Sequence, residues 1–172
     1  MNKKYITGLA ILGLAHSASA QATQAKPCLS VGQAEALVTY FLPSAVLAGR
    51  DKCATTLPPT DPLLIENSER LAKYRAAAEN AWPQAKIGFG VMAGDKLPAE
   101  IDDEILRFTA DAMITQLISD EIKPKDCALI AKIYSDLAPM PSANLASLTI
   151  TIVQAATKDD KKRDIPICKA PA

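Results

Sequence analysis

Four cysteines, Cys28, Cys53, Cys127 and Cys168, constrain this chain more than any other feature. No two of them form a Cys-x-x-Cys pair or stand at the close spacing of a zinc-ligand pair. Structural zinc sites draw on closely spaced ligand pairs and redox dithiols on Cys-x-x-Cys, so two structural disulfides are the expected use. Three pairings satisfy four cysteines. Pairing Cys28 with Cys53 and Cys127 with Cys168 needs the least long-range assumption, because each would close an antiparallel helical hairpin. By loop entropy such bridges contribute roughly 3.5 and 4 kcal/mol.

Disulfides imply an oxidising compartment, and the N-terminus supplies a route to one. Lys3 and Lys4 precede an apolar run from Ile6 to Ala15, and the small residues Ala18-Ser19-Ala20 follow. This is the three-part pattern of a secretory signal peptide. Residues 1–20 are therefore read as a cleaved leader, and residues 21–172 as a single periplasmic domain. Neither the leader nor any later stretch offers the roughly 20 unbroken apolar residues a bilayer requires, so no stable membrane insertion is expected.

Lys and Arg together number 19, and so do Asp and Glu. Losing Lys3 and Lys4 takes the cations from 19 to 17 and the net charge to −2. Such a balance leaves no electrostatic footprint for nucleic acid. Aromatics make up only 5% of the chain and there are 7 glycines, which favours helices over a β-sandwich. An all-α, single-domain bundle of about six to seven helices, with two disulfide-clasped hairpins, is predicted.

Ser30-Val31-Gly32-Gln33 has the Ser-x-x-Gln form of a capping box and opens the first helix, which Pro43 is expected to end. A short helix from Ser44 to Lys52 leads back to Cys53. Pro58-Pro59 breaks the chain, and Asp61-Pro62 starts a long helix running to Trp82 with Leu64, Leu71, Tyr74, Ala78 and Trp82 inward, which Pro83 is expected to kink or end. Pairs Glu66–Arg70 and Glu69–Lys73 lie one turn apart. The segment Ile87 to Met92 alternates bulky residues with glycine; lacking a strand partner, it reads as a short helix ending at Gly94.

Leu97-Pro98-Ala99-Glu100 opens the next helix, taken as the centre of the bundle, with Ile101, Ile105, Phe108, Ala112, Ile114, Leu117 and Ile118 inward. Leu129, Ile130, Ile133, Tyr134 and Leu137 mark another helix. The last runs from Ser142 to Thr157 with Leu145, Leu148, Ile152 and Ala155 inward, despite the β-branched Thr149 to Val153. Pro43-Ser44-Ala45 and Pro141-Ser142-Ala143 echo each other, a coincidence of local helix-start chemistry in an Ala-rich chain.

His16 is the only histidine and belongs to the leader. The domain therefore lacks the usual general base, every Ser-His or Cys-His nucleophile pair, and histidine ligation of metals. Gly88, Gly90 and Gly94 lack the spacing of a phosphate loop. Asp102, Asp103 and Glu104 sit where a helix N-terminus welcomes negative charge, and Asp111, Asp120 and Glu121 read as exposed helix positions. Asp159-Asp160 among lysines does not make a calcium loop. Trp82 reads as core, Met92, Met113 and Met140 as gap fillers, and Lys158 to Arg163 as a solvated loop. No catalytic, cofactor-binding or metal-ligating residue is assigned.

This plan resembles the small exported helical proteins of Gram-negative envelopes, a likeness of class that carries no active site. The leading expectation is a non-enzymatic domain that binds an unknown protein partner or supports an envelope assembly. Two alternatives stand beside it: an immunity-like inhibitor of an envelope hydrolase acting through the loop Ala54 to Thr60, and a carboxylate-only enzyme acting on a glycan through Asp102, Asp103 and Glu104.

Overall fold

The first helix sets the geometry of everything else. Ser30 accepts a hydrogen bond from the Gln33 backbone N–H at 3.1 Å, and Gln33 Oε1 accepts from the Ser30 N–H at 2.9 Å, completing the capping box. From there α1 (Val31–Cys53) runs without interruption, carrying Pro43 inside it. A helix-interior proline costs about 3 kcal/mol. Here both halves are held by packing, since α1 lies against α2, α3 and α5 and also touches α4. The expected break at Pro43 is therefore absent. Joined, the two halves make α1 the one helix among the described residues with the length and mean hydropathy (1.2) to cross a bilayer, contrary to the sequence expectation.

The computed structural model describes residues 27–65, 68–98, 100–157 and 166–168. Residues 1–20, expected to be a leader, Glu66 and the charge run from Lys158 to Arg163 lie outside them. Among the described residues there are five α-helices and three single 3-10 turns, with no strand beyond one parallel bridge between Leu29 and Ile167. The chain is all-α, with fewer and longer helices than expected because two prolines fail to break them.

Pro83 is the second. Asp61 caps only the short turn Pro62–Leu64, and α2 (Glu69–Ala93) starts later, at the Ser68 cap, and passes straight through Pro83. It carries the ambiguous Ile87 to Met92 as helix and stops where Gly94 takes φ +55°, a conformation open to glycine. The helix runs antiparallel to α1: Gly88 lies over Leu37, Trp82 stacks on Tyr40 at 4.7 Å, and Tyr74 joins the cluster around Cys53.

Next comes α3 (Asp103–Glu121), which begins after Asp102 rather than at Pro98, because the Asp102 carboxylate accepts from the N–H groups of Glu104 and Ile105. It is not the bundle centre. It packs on α1 through Leu106 and Ala110, while α4 (Cys127–Asp136) and α5 (Ser142–Thr157) follow. The Pro-Ser echo falls in unlike settings, mid-helix at Pro43 and at a helix start at Pro141.

The disulfides are Cys28–Cys168 and Cys53–Cys127, so the expected hairpin clasps are corrected. Cys28 and Cys53 stand at opposite ends of an unbroken 23-residue helix. At 1.5 Å per residue that is roughly 35 Å, whereas a disulfide needs Cα atoms within about 7 Å. Instead, the α1 C-terminus is tied to the α4 N-terminus, and the segment before α1 is tied to the tail. Hydrogen bonding from the Cys168 N–H to the Leu29 carbonyl at 2.7 Å seats that tail.

Candidate functional site

In α3 two apolar stripes at helical spacing compete for the core. Leu106 and Ala110 go in, with Ile114 and Ile118 half-buried beside them. Ile105, Phe108, Ala112 and Leu117, four of those expected inward, face solvent, with Phe108 75% and Leu117 60% exposed. In α5 the same inversion occurs: Leu145, Ala146 and Ile150 are buried, while Leu148, Ile152 and Ala155 are exposed. Leu129 and Ile133 of α4 are exposed as well, and so are Met92 and Met113, which are not gap fillers.

Between α3 and α5 a groove of about 420 Å³ opens. Leu37, Val38, Phe41 and Ala45 of α1 floor it, Ile114 and Ile118 form one wall, and Ile150 and Val153 form the other. α3 and α5 each lean on α1, and no described residue fills the space between them. A second cleft of about 250 Å³ lies on the α4 side, floored by Val46 and Gly49 and walled by Ile130 and Tyr134. Both clefts share Leu42, Ala45 and Thr149, so they meet along α1 beneath α5.

The chemistry of this surface is almost wholly apolar. Its one hydroxyl in common, on Thr149, donates back to the Leu145 carbonyl at 2.8 Å and is not offered to a ligand. Small-molecule sites place a few polar groups to fix orientation; these clefts lack such a set among the described residues.

The carboxylates are engaged elsewhere. Asp102 caps α3, and Asp103 takes the Trp82 indole N–H at 3.0 Å, Lys86 at 2.7 Å and Arg107 at 3.3 Å. The Lys86 bond, aided by Trp82 and Arg107, holds the Asp103 carboxyl below the usual range. Arg107 also donates to Glu79 at 2.7 Å and lies over the Trp82 ring at 4.6 Å. Trp82 itself, 4% exposed, is core.

Asp111 departs from its expected exposed role. It is half-buried on the α1 seam, accepting from Tyr40 and Ser44 at 3.3 Å each. Burial pushes its carboxyl up, partly opposed by those two hydrogen bonds and by Arg107. The same burial, reinforced by Asp111, pushes the Tyr40 phenol well above its ordinary value. Asp120 and Glu121 are exposed as expected, and the loop Ala54 to Thr60 is exposed except for half-buried Leu57.

Among the described residues no three Cys, Asp or Glu side chains converge as a metal site would need. Sequence reasoning missed the groove because its lining comes from four helices. The one signal available was an α3 apolar on too many sides for a surface helix. Compared with family models, curated proteins and solved structures, the chain matches none significantly.

Proposed function

We propose that this is an exported, non-enzymatic helical domain of the periplasm that binds an apolar segment of another protein across the α3–α5 face. The observation that carries this reading is the open apolar groove lined by Leu37, Phe41, Ile114, Ile118, Ile150 and Val153, whose two wall helices also leave Met113, Leu117, Leu148 and Ile152 exposed. Monomeric proteins rarely leave contiguous apolar surface beyond a few hundred Å² uncovered, and larger patches mark interaction sites. A groove floored by one helix and walled by two others suits a helix laid in with anchors at one-turn spacing. Two disulfides fit an oxidising compartment. The cap and ion-pair duties of Asp102 and Asp103 leave the glycan-enzyme reading without a cleft to support it.

Site-specific photo-crosslinking tests the reading. A benzophenone side chain at Leu117 or Ile152 is expected to give a discrete protein adduct in cells, while the same group at Lys73, on exposed α2 surface, gives none. Adducts of equal yield from all three positions, or none from any, would remove the groove as the binding face.

A further inference from the structure

The charges around the groove point to the kind of segment it takes. Along α3 the carboxylates are Asp103, Glu104, Asp111, Asp120 and Glu121, and the only cation is Arg107, already bonded to Glu79 and Asp103. The opposite wall, α5, has no charged residue at all. Asp120 and Glu121 stand in the last turn of α3, where no basic residue is present. That is the negative end of the helix dipole, where carboxylates are disfavoured. Lys123 donates to the Asp120 backbone carbonyl at 2.5 Å rather than to either carboxylate. Asp120 takes only the Gln116 amide at 2.7 Å, and Glu121 has no side-chain partner among the described residues.

Asp120 and Glu121 follow Ile118, the last α3 residue to line the groove, within one turn of the same helix, so that end of the groove wall carries two exposed carboxylates. We propose that the occupant is an amphipathic helix of a partner protein with Lys or Arg flanking its apolar anchors. Its cations meet Asp120 and Glu121, and its anchors cover Met113 and Leu117 and enter between Ile118 and Val153. A second copy of this chain fits poorly, since pairing two α3 faces would set carboxylate against carboxylate. An anionic membrane surface meets the same repulsion. This inference rests on the groove being the binding face and adds the charge of what binds.

The test uses the full oxidised domain and two labelled helical peptides of about 18 residues, or five turns. Both carry one leucine stripe; one is flanked by lysines and the other by glutamates. Fluorescence anisotropy is expected to show the lysine peptide binding and the glutamate peptide at least about 10-fold weaker. Binding of the lysine peptide should fall as salt rises from 0.1 to 1 M, over which the Debye length shrinks from about 10 to about 3 Å. Asp120→Asn with Glu121→Gln should weaken it roughly 5-fold, the scale of two exposed ion pairs. Equal binding of both peptides, indifferent to salt and to the double substitution, would overturn the charge assignment while leaving the groove standing. Binding of neither would overturn both. Co-sedimentation with phosphatidylglycerol vesicles, or a concentration-dependent dimer lost on replacing Phe108 and Leu117 by serine, would overturn it in favour of a membrane or a second copy.

Discussion

Alanine at two glycines of α2, only two positions apart, should move stability in opposite directions. A Cβ built on Gly88 lies 2.9 Å from Leu37 Cδ1, 3.2 Å from its Cγ and 3.3 Å from the Gln33 carbonyl oxygen. Carbon atoms rest at about 3.5–4.0 Å, so a methyl here forces the buried Leu37 and the α1 backbone to give way. At Gly90 nothing lies within 4 Å. Both substitutions gain the same helix preference, about 0.5–1 kcal/mol, with Gly90 at the lower end because it sits in the last turn. Overpacking at Gly88 costs about 1–3 kcal/mol. Gly90→Ala is thus expected to stabilise by about 0.5 kcal/mol and Gly88→Ala to destabilise by about 0.5–2 kcal/mol. Urea unfolding followed by Trp82 fluorescence reads both values; thermal midpoints should separate by roughly 2–10 °C at 2–4 °C per kcal/mol. In a Leu37→Ala background Gly88→Ala should cost less than it does in the wild type, as contacting residues couple. Equal stabilisation by both alanines would refute the contact of α1 with α2 at Gly88.

Removing the inner bridge by Cys53→Ala with Cys127→Ala should cost about 4 kcal/mol for cysteines 74 residues apart, read by urea midpoint. Non-reducing digestion with mass spectrometry should return a Cys53–Cys127 peptide; a Cys28–Cys53 peptide would reject the helix order. The Asp111 carboxyl is raised on folding, so the folded state binds the extra proton and this residue's contribution to stability falls as pH climbs through the window from its unfolded value upward. Asp111→Asn should accordingly gain on the wild type between acid and neutral pH in urea midpoint, and an unchanged difference would reject that sign. Leu117→Ser should leave stability within about 0.5 kcal/mol, as for an exposed side chain, yet weaken lysine-peptide binding about 10-fold or more.

Local chemistry was the legible part of the fold. Ser30 with Gln33, Gly94 as a helix stop and the Glu69–Lys73 pair at 2.7 Å all follow from neighbours in the chain. Pro43 and Pro83 misled, because a proline's cost is local while the packing that outweighs it comes from α2, α3 and α5 around α1 and from α1 along α2. The disulfide pairing followed that error: with α1 halved, Cys28 and Cys53 would meet, and with α1 whole they stand at opposite ends. The groove was hidden for a different reason. In α3, Ile105, Phe108 and Ala112 make as good an inward stripe as Leu106, Ala110 and Ile114, and periodicity cannot rank two apolar faces of one helix.

The bond between Cys28 and Cys168, cysteines 140 residues apart, closes the domain into a covalent ring. Tension applied to chain outside those two residues passes from one side to the other through a single sulfur–sulfur link. None of α1 to α5 lies on that path, so the helices carry no load. A pull on both chain ends would therefore leave the groove's shape unchanged while the bond holds. Reduction would shift the same load onto the Leu29–Ile167 contact and then onto the helices, turning a mechanically inert domain into one that unravels from its ends.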